Sequence, residues 1–189
     1  MAKKTQGFSL IEMMVVVAII AILAGVGGPM YANMYKKALV EKAARGFLLT
    51  AQYGRIMAIE HQTEHRIFLD LEGNAFYLGS TTWNEEAEEM QESVVSDYYC
   101  RPVQMEGNVK FEDIQVLPVG AESDTFGDDG DEMSILFRPD GTAQAAIVQI
   151  GDGKTRFAVA ISPATGLAKI TSGTSEDISI GVIDLDAQQ

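Results

Sequence analysis

Eighteen consecutive residues, 13–30 (MMVVVAIIAILAGVGGPM), carry no charge, and most are valine, isoleucine, leucine, methionine or alanine. A run of that length makes about 27 Å of α-helix, enough to cross most of a hydrocarbon core. Backbone amides find no water in lipid, so a helix, which satisfies them within the segment, is the state such a run adopts there. Residues 8–11 extend the apolar stretch toward the N-terminus, and doing so encloses Glu12. A carboxylate in that setting is costly unless a cation or hydrogen-bond donor meets it, or it takes up a proton.

Lys3 and Lys4 precede the run with no acid beside them, and a short basic flank normally stays on the cytoplasmic side. Lys36, Lys37 and Lys42 follow it, so flanking charge alone leaves the orientation open. A secretory signal peptide is the competing reading, and the Ala-Gly-Val-Gly stretch at 24–27 has the small-x-small form its cleavage needs. Against it stand Glu12 and the continuation of the helical pattern beyond the run. Gly25, Gly27, Gly28 and Pro29 are expected to bend or loosen the helix, since glycine and proline weaken a helix interior. Small residues also let neighbouring membrane helices approach closely.

The pattern stays helical from 31 to about 61. Val40, Ala44, Phe47, Ala51 and Ala58 fall near one face, with Leu48 at its edge. This small-sided stripe suits packing on a sheet, and Gly46 and Gly54 would let strands come close. Residues 66–71 then alternate as a strand, 72–74 turn, and 75–78 return as a hairpin partner. Residues 80–104 are strongly acidic and read as an irregular loop or short surface helix. Further strands are expected at 109–117, 133–138, 142–150, 155–161, 167–170 and 178–183, most separated by Gly, Asp or Pro turns. The fold class is therefore α+β, a long N-terminal helix whose C-terminal half packs on an antiparallel sheet domain.

Composition narrows the function. With 14 basic against 27 acidic residues the formal net charge is −13, the wrong sign for nonspecific nucleic-acid binding. Cys100 is the single cysteine, which precludes an intrachain disulfide. His61-Gln62-Thr63-Glu64-His65 has the H-x-x-E-H order of one class of zinc protease, but it falls where helix gives way to strand and lacks a third ligand. Asp124, Asp128, Asp129 and Asp131 crowd an acidic loop at 120–132. No glutamate stands at the twelfth position counted from Asp124 or Asp128, so no EF-hand is formed. No metal, cofactor or catalytic residue is assigned.

Gly7-Phe8-Ser9-Leu10-Ile11-Glu12, behind a short basic leader and before the apolar run, resembles the processing site of type IV pilins and of type II secretion pseudopilins. The resemblance implies cleavage after Gly7 by a prepilin peptidase, N-methylation of Phe8, and assembly roles for Glu12 and the helix-bending Pro29. The new terminal ammonium of a neighbouring subunit would supply the cation that Glu12 lacks. Residues 51–59, around Arg55, resemble the helix end of GspH- and FimT-type minor pilins, although Tyr53-Gly54 departs from their usual pattern. Phe137 to Thr142 and the Ser162-Pro163 to Thr165-Gly166 stretch are similar to their late strand-turn signatures.

The resemblance implies a leader at 1–7, a transmembrane and filament-core helix at 8–35, its continuation at 36–62, and a periplasmic β-rich domain at 63–189. It implies a non-enzymatic minor pseudopilin of the inner membrane that serves protein export. Its partners would be other pseudopilins, the inner-membrane secretion platform and exported proteins, with no nucleic acid. A minor type IV pilin, priming pilus assembly or DNA uptake, is the alternative.

Overall fold

The computed structural model describes residues 8–84, 89–98, 100–117 and 132–175; at 26–30, 32, 81–84, 89–92 and 132 only the backbone is described. The leader at 1–7, residues 120–131 of the acidic loop with their four aspartates, and the strand expected at 178–183 lie outside the described residues. The chain divides into two compact units, Met1–Ala38 and Leu39–Gln189.

The first helix, α1, runs Leu10–His61 and is assigned without interruption through 25–29. The glycines and proline thus do not end it, although Pro29, without an amide hydrogen, leaves one rung of the ladder unmade. In the first unit, Leu10 through Gly25 are exposed without exception.

In the second unit the stripe read from the sequence is the buried face of α1. Val40, Ala44, Phe47, Ala51 and Ala58 are fully buried. Phe47 meets Phe76 edge to face, with ring centroids 5.3 Å apart, a favoured aromatic geometry. Gly54 is needed here, because a Cβ on it would lie 2.8 Å from Leu78 Cδ1. At His61 the helix stops. Gln62 takes a left-handed φ of 55°, and its side-chain amide donates to the Ile59 carbonyl at 2.6 Å, satisfying one of the open carbonyls of the last turn.

Nine strands follow among the described residues: β1 His65–Asp70, β2 Ala75–Asn84, β3 Glu89–Val94, β4 Val103–Gln104, β5 Lys110–Val116, β6 Glu132–Phe137, β7 Ala146–Gly151, β8 Arg156–Ile161 and β9 Ala168–Ser172. They form two sheets, β3-β2-β1-β6 with β4 also on β2, and β5-β7-β8-β9. All pairs are antiparallel. Ile67, Leu69, Phe76, Leu78, Ile135 and Phe137 from the first sheet join Val148, Ile150, Val159 and Ile161 from the second in one core with the α1 stripe.

Two expectations are corrected. The described residues of 80–104 include strands where a loop or surface helix was expected: β2 continues to Asn84 and pairs with β3. Thr81, Thr82 and Trp83 favour extended backbone, and an edge strand tolerates glutamates on its solvated side. The strand expected at 142–150 begins only at Ala146, as β7, and the residues just before it end the hairpin with 136–138 instead. Only an isolated bridge, Phe137↔Ala143, continues that hairpin. Gln144 then receives the Leu136 amide on Oε1 at 3.3 Å and donates Nε2–H to the Leu117 carbonyl at 3.2 Å. From there the chain enters β7 in the other sheet.

Candidate assembly site at the N-terminal helix

Phe8 and Ser9 precede the first turn of α1. Ser9 Oγ accepts the Glu12 amide hydrogen at 3.3 Å, and the Ser9 carbonyl accepts that of Met13 at 3.3 Å. Ser9 is thus the N-cap, and Glu12 stands at the third helical position, where the unpaired amides and the positive end of the helix dipole favour a carboxylate. Ser-x-x-Glu is a capping-box sequence, a signal that reading Glu12 only as a lipid-buried acid passes over.

Of the four residues singled out from the sequence, Gly7 lies outside the described residues and Pro29 is described only as helical backbone. Phe8 is 73 % exposed, and Glu12 is exposed one turn along. Leu10, Ile11, Ile19, Ile20, Ile22 and Leu23 are each more than half exposed. An uncovered apolar helix of this kind has no reason to persist in water; it needs lipid or other helices around it. Among the described residues no helix is long and apolar enough to cross a membrane; the run at 13–30 includes residues 26–30, whose side chains are not among them.

The metalloprotease order at 61–65 is split between two elements. His61 ends α1 on the surface, whereas His65 opens β1 and is 2 % exposed. Their rings are 6.2 Å apart and tilted, not aligned as successive turns of one helix would place them. Burial pushes the His65 ring below its ordinary pKa, partly offset by the Thr63 carbonyl 3.2 Å from Nδ1.

A second constellation joins the three stretches that carry the GspH-like resemblance. Arg55 Nε donates to the Thr165 carbonyl at 2.6 Å. Gly166, at φ +61°, sits so tightly that a Cβ there would be 2.6 Å from the Gly141 carbonyl oxygen and 3.0 Å from Arg55 Cδ. Ala143 donates its amide hydrogen to Pro163 at 3.1 Å. The helix end and both late turns are therefore one packed knot. These residues hold the fold together at this point.

Cys100 is buried at 4 % exposure in a turn closed twice by Asp97. The Asp97 amide donates to the Cys100 carbonyl at 2.9 Å, and the Cys100 amide donates to Asp97 Oδ1 at 2.7 Å. Tyr53 on α1 donates its hydroxyl to Asp97 Oδ2 at 2.5 Å. That bond, burial and the Asp97 charge push the Tyr53 phenol up to about 12. Burial also raises the Cys100 thiol, which makes it a poor nucleophile.

The chain matches the family described as the prokaryotic N-terminal methylation motif over residues 2–28. That span takes in Gly7, Phe8 and Glu12 and stops one residue short of Pro29. It is similar to prepilin peptidase-dependent protein D of Escherichia coli (strain K12), 41% identical over 58 residues, which are 31% of this chain and 40% of that protein. The match thus spans well under two thirds of the curated relative. Two solved structures of the minor pseudopilin EpsH from the type 2 secretion system of Vibrio cholerae share the fold. One has a TM-score of 0.51 at 10% identity, covering 70% of this chain and 96% of that one. The other has a TM-score of 0.52 at 13% identity, covering 74% and 98%.

Proposed function

We propose that this type IV pilin-like chain is a minor pseudopilin, a structural subunit of a type II secretion pseudopilus that takes part in tip assembly and in export of folded proteins. One combination carries the reading: an N-terminal methylation motif at residues 2–28 heads a chain whose domain has the minor-pseudopilin fold. In this proposal a prepilin peptidase removes residues 1–7 and leaves N-methylated Phe8 as the first residue. Residues 8–35 anchor the protein in the inner membrane and, once assembled, line the filament core. The helix continues through 36–62 into a periplasmic domain at 63–189. The basic leader supports that orientation.

Glu12 is the residue on which assembly turns. In the single subunit it is held at the helix start, where water or headgroups and the helix end stabilise its charge. Packed among apolar helices it would lose water, and the terminal ammonium that processing creates on a neighbour is the partner of opposite charge. Processing and assembly are thereby coupled. Partners are other pseudopilins through the helix, the inner-membrane platform, and exported proteins through the domain.

Two measurements test this. Intact mass and N-terminal sequencing of protein from cells should give a chain beginning with N-methyl-Phe8; a start beyond Pro29 overturns the anchor. Deletion of the gene should block export of folded proteins without removing surface pili. Loss of pili with export intact would reassign the chain to pilus priming.

A further inference from the structure

Just past the apolar run, α1 carries Tyr31, Tyr35, Lys36 and Lys37. Tyr31 is 74% and Tyr35 55% exposed, and both lysines are exposed. Lys42 and Arg45, the next cations, are already engaged with Glu106 and Glu41. Among the described residues, Lys36 and Lys37 are in no ion pair.

At 100° per residue the two tyrosines lie within about 40° of one another, while Lys36 and Lys37 stand on the remaining sides. The four side chains therefore ring the helix instead of marking one face. A ring fits a surrounding medium better than a single docked protein. The spacing agrees: Leu10 to Tyr31 is about 32 Å of helix, against roughly 30 Å of hydrocarbon. Tyrosine prefers the depth where its ring is in apolar surroundings and its hydroxyl is wet. Lysine one turn further can lay its stem along the acyl boundary and place its ammonium among phosphates.

The charge distribution sharpens the contrast. Residues 1–45 hold six basic residues and two acids, a net of +4, whereas 46–189 hold eight basic residues and 25 acids, a net of −17. The acidic part of the chain is repelled by an anionic surface, and the Tyr-Lys ring is attracted to one.

We infer that Tyr31, Tyr35, Lys36 and Lys37 form an interfacial collar that binds anionic phospholipid headgroups in the leaflet away from the N-terminus. This rests on the membrane-anchor reading above, and goes beyond it by assigning a lipid-binding site and its selectivity. The collar fixes how far the helix sinks. It also gives the unassembled subunit a hold on the membrane surface that it must release to move into a filament.

The test is lipid selectivity measured by electron spin resonance, using full-length chain in phosphatidylcholine vesicles with spin-labelled phosphatidylglycerol or phosphatidylcholine as probe. Lys3→Gln and Lys4→Gln are introduced throughout, so that Lys36 and Lys37 are the side-chain cations nearest the apolar run. The expected result is motionally restricted lipid at the helix with several-fold preference for phosphatidylglycerol, weakened by salt. Lys36→Gln with Lys37→Gln should remove that preference, leaving the two probes near parity. Lys36→Glu with Lys37→Glu should turn it into exclusion. All four positions are exposed, so folding is not at stake.

Restricted lipid with no preference, or a preference that survives both double variants, overturns the collar and leaves the anchor standing. No restricted lipid, with chains that fail to float with vesicles, sinks the anchor itself. Zero-length crosslinking of Lys36 or Lys37 to carboxylates of another copy, in vesicles where lipid preference is absent, would assign the ring to protein packing and also overturn the collar.

Discussion

Arg55 and Thr165 are 110 positions apart in the chain, and the Arg55 Nε–H reaches the Thr165 carbonyl at 2.6 Å. The bond ties the last turns of α1 to the loop between β8 and β9, beside the turn that follows β6. Arg55→Ala should therefore cost about 1–2 kcal/mol, toward the lower end for a charged donor because Arg55 is only partly buried. Arg55→Lys should recover little, since an ammonium lacks the planar Nε–H aimed along the helix side. Urea unfolding with an unchanged slope checks both; a variant as stable as the parent would show the contact to be incidental.

Gly166 tests the same knot from the other side. Its positive φ and the Gly141 carbonyl 2.6 Å from any added Cβ leave no room for alanine without moving backbone. Gly166→Ala should lose about 2–4 kcal/mol, combining strain in φ with overpacking. Gly153→Ala is the control. It shares a positive φ but has nothing within 4 Å of its Cβ position, so only the conformational cost of about 1–2 kcal/mol applies. Equal losses at the two sites would mean that crowding contributes nothing.

How far the fold was legible follows from these contacts. The buried stripe of α1 could be read directly, because alanines and Phe47 repeat at helical spacing and a helix buries one face as a unit. The hairpin of β1 and β2 was equally plain, since the Gly73-Asn74 pair marks its turn; that Asp70 closes it, its carboxylate accepting the Gly73 amide at 2.6 Å, shows only in the structure. The crossing at Gln144 was not legible. Local alternation makes 142–150 look like one strand, and only the long-range pairing of Gln144 with Leu136 and Leu117 divides it. Nor was β3 legible, because acidic edge strands lack the apolar alternation that a sequence pattern requires. At the N-terminus Phe8 and Glu12 stood out, but Ser9 did not, although its serine hydroxyl shapes the helix start.

His65 makes stability sensitive to mild acid. Its ring is buried and its pKa is held below the ordinary value, so below about pH 6.5 the unfolded chain takes up a proton that the folded chain refuses. Stability should fall as pH drops through that window toward the folded pKa, with a slope from this group of at most about 1.4 kcal/mol per pH unit. His65→Phe should flatten that part of the profile. Asp113 and Asp140, both held low by hydrogen bonds, the first mainly from Ser175 and the second from Thr142, lose their contributions only as pH falls through the carboxylate range. Parallel profiles for parent and variant between pH 6.5 and 5 would remove His65 as the cause.

Tyr53 acts at the opposite end of the scale. Its hydroxyl bond to Asp97 keeps the phenol protonated to about 12, above the unfolded value near 10. The stabilisation is complete below pH 10 and is lost as pH rises from there through the folded pKa. Tyr53→Phe should cost about 1 kcal/mol at neutral pH and delete the latest step of an absorbance titration of the tyrosines. The Asp97 turn should survive, because Oδ1 still receives the Cys100 amide. A titration unchanged by the substitution would place the late step on another tyrosine.

Ser9 and Glu12 share one helix turn but should fail in different ways. Ser9 Oγ accepts the Glu12 amide hydrogen, so Ser9→Ala removes the cap, costing about 0.5–2 kcal/mol at the helix start, and leaves the carboxylate in place. Fraying of a single turn should lower filament yield only in part. Glu12→Gln keeps the side-chain length and the cap but removes the charge, so membrane insertion and helix content should be unchanged. If a neighbour's terminal ammonium must be met as water is excluded, the amide cannot meet it, and the loss of a close charge pair amounts to several kcal/mol per subunit. Summed over the contacts of a filament, that loss should abolish co-polymerisation, measured as recovery of the chain in sheared filaments and as intersubunit crosslinks. Glu12→Asp should fall between the two, since the charge remains but its reach is one methylene shorter. Filaments of parental yield from Glu12→Gln would show that processing and assembly are not joined through this pair, whatever the fate of the Ser9 cap.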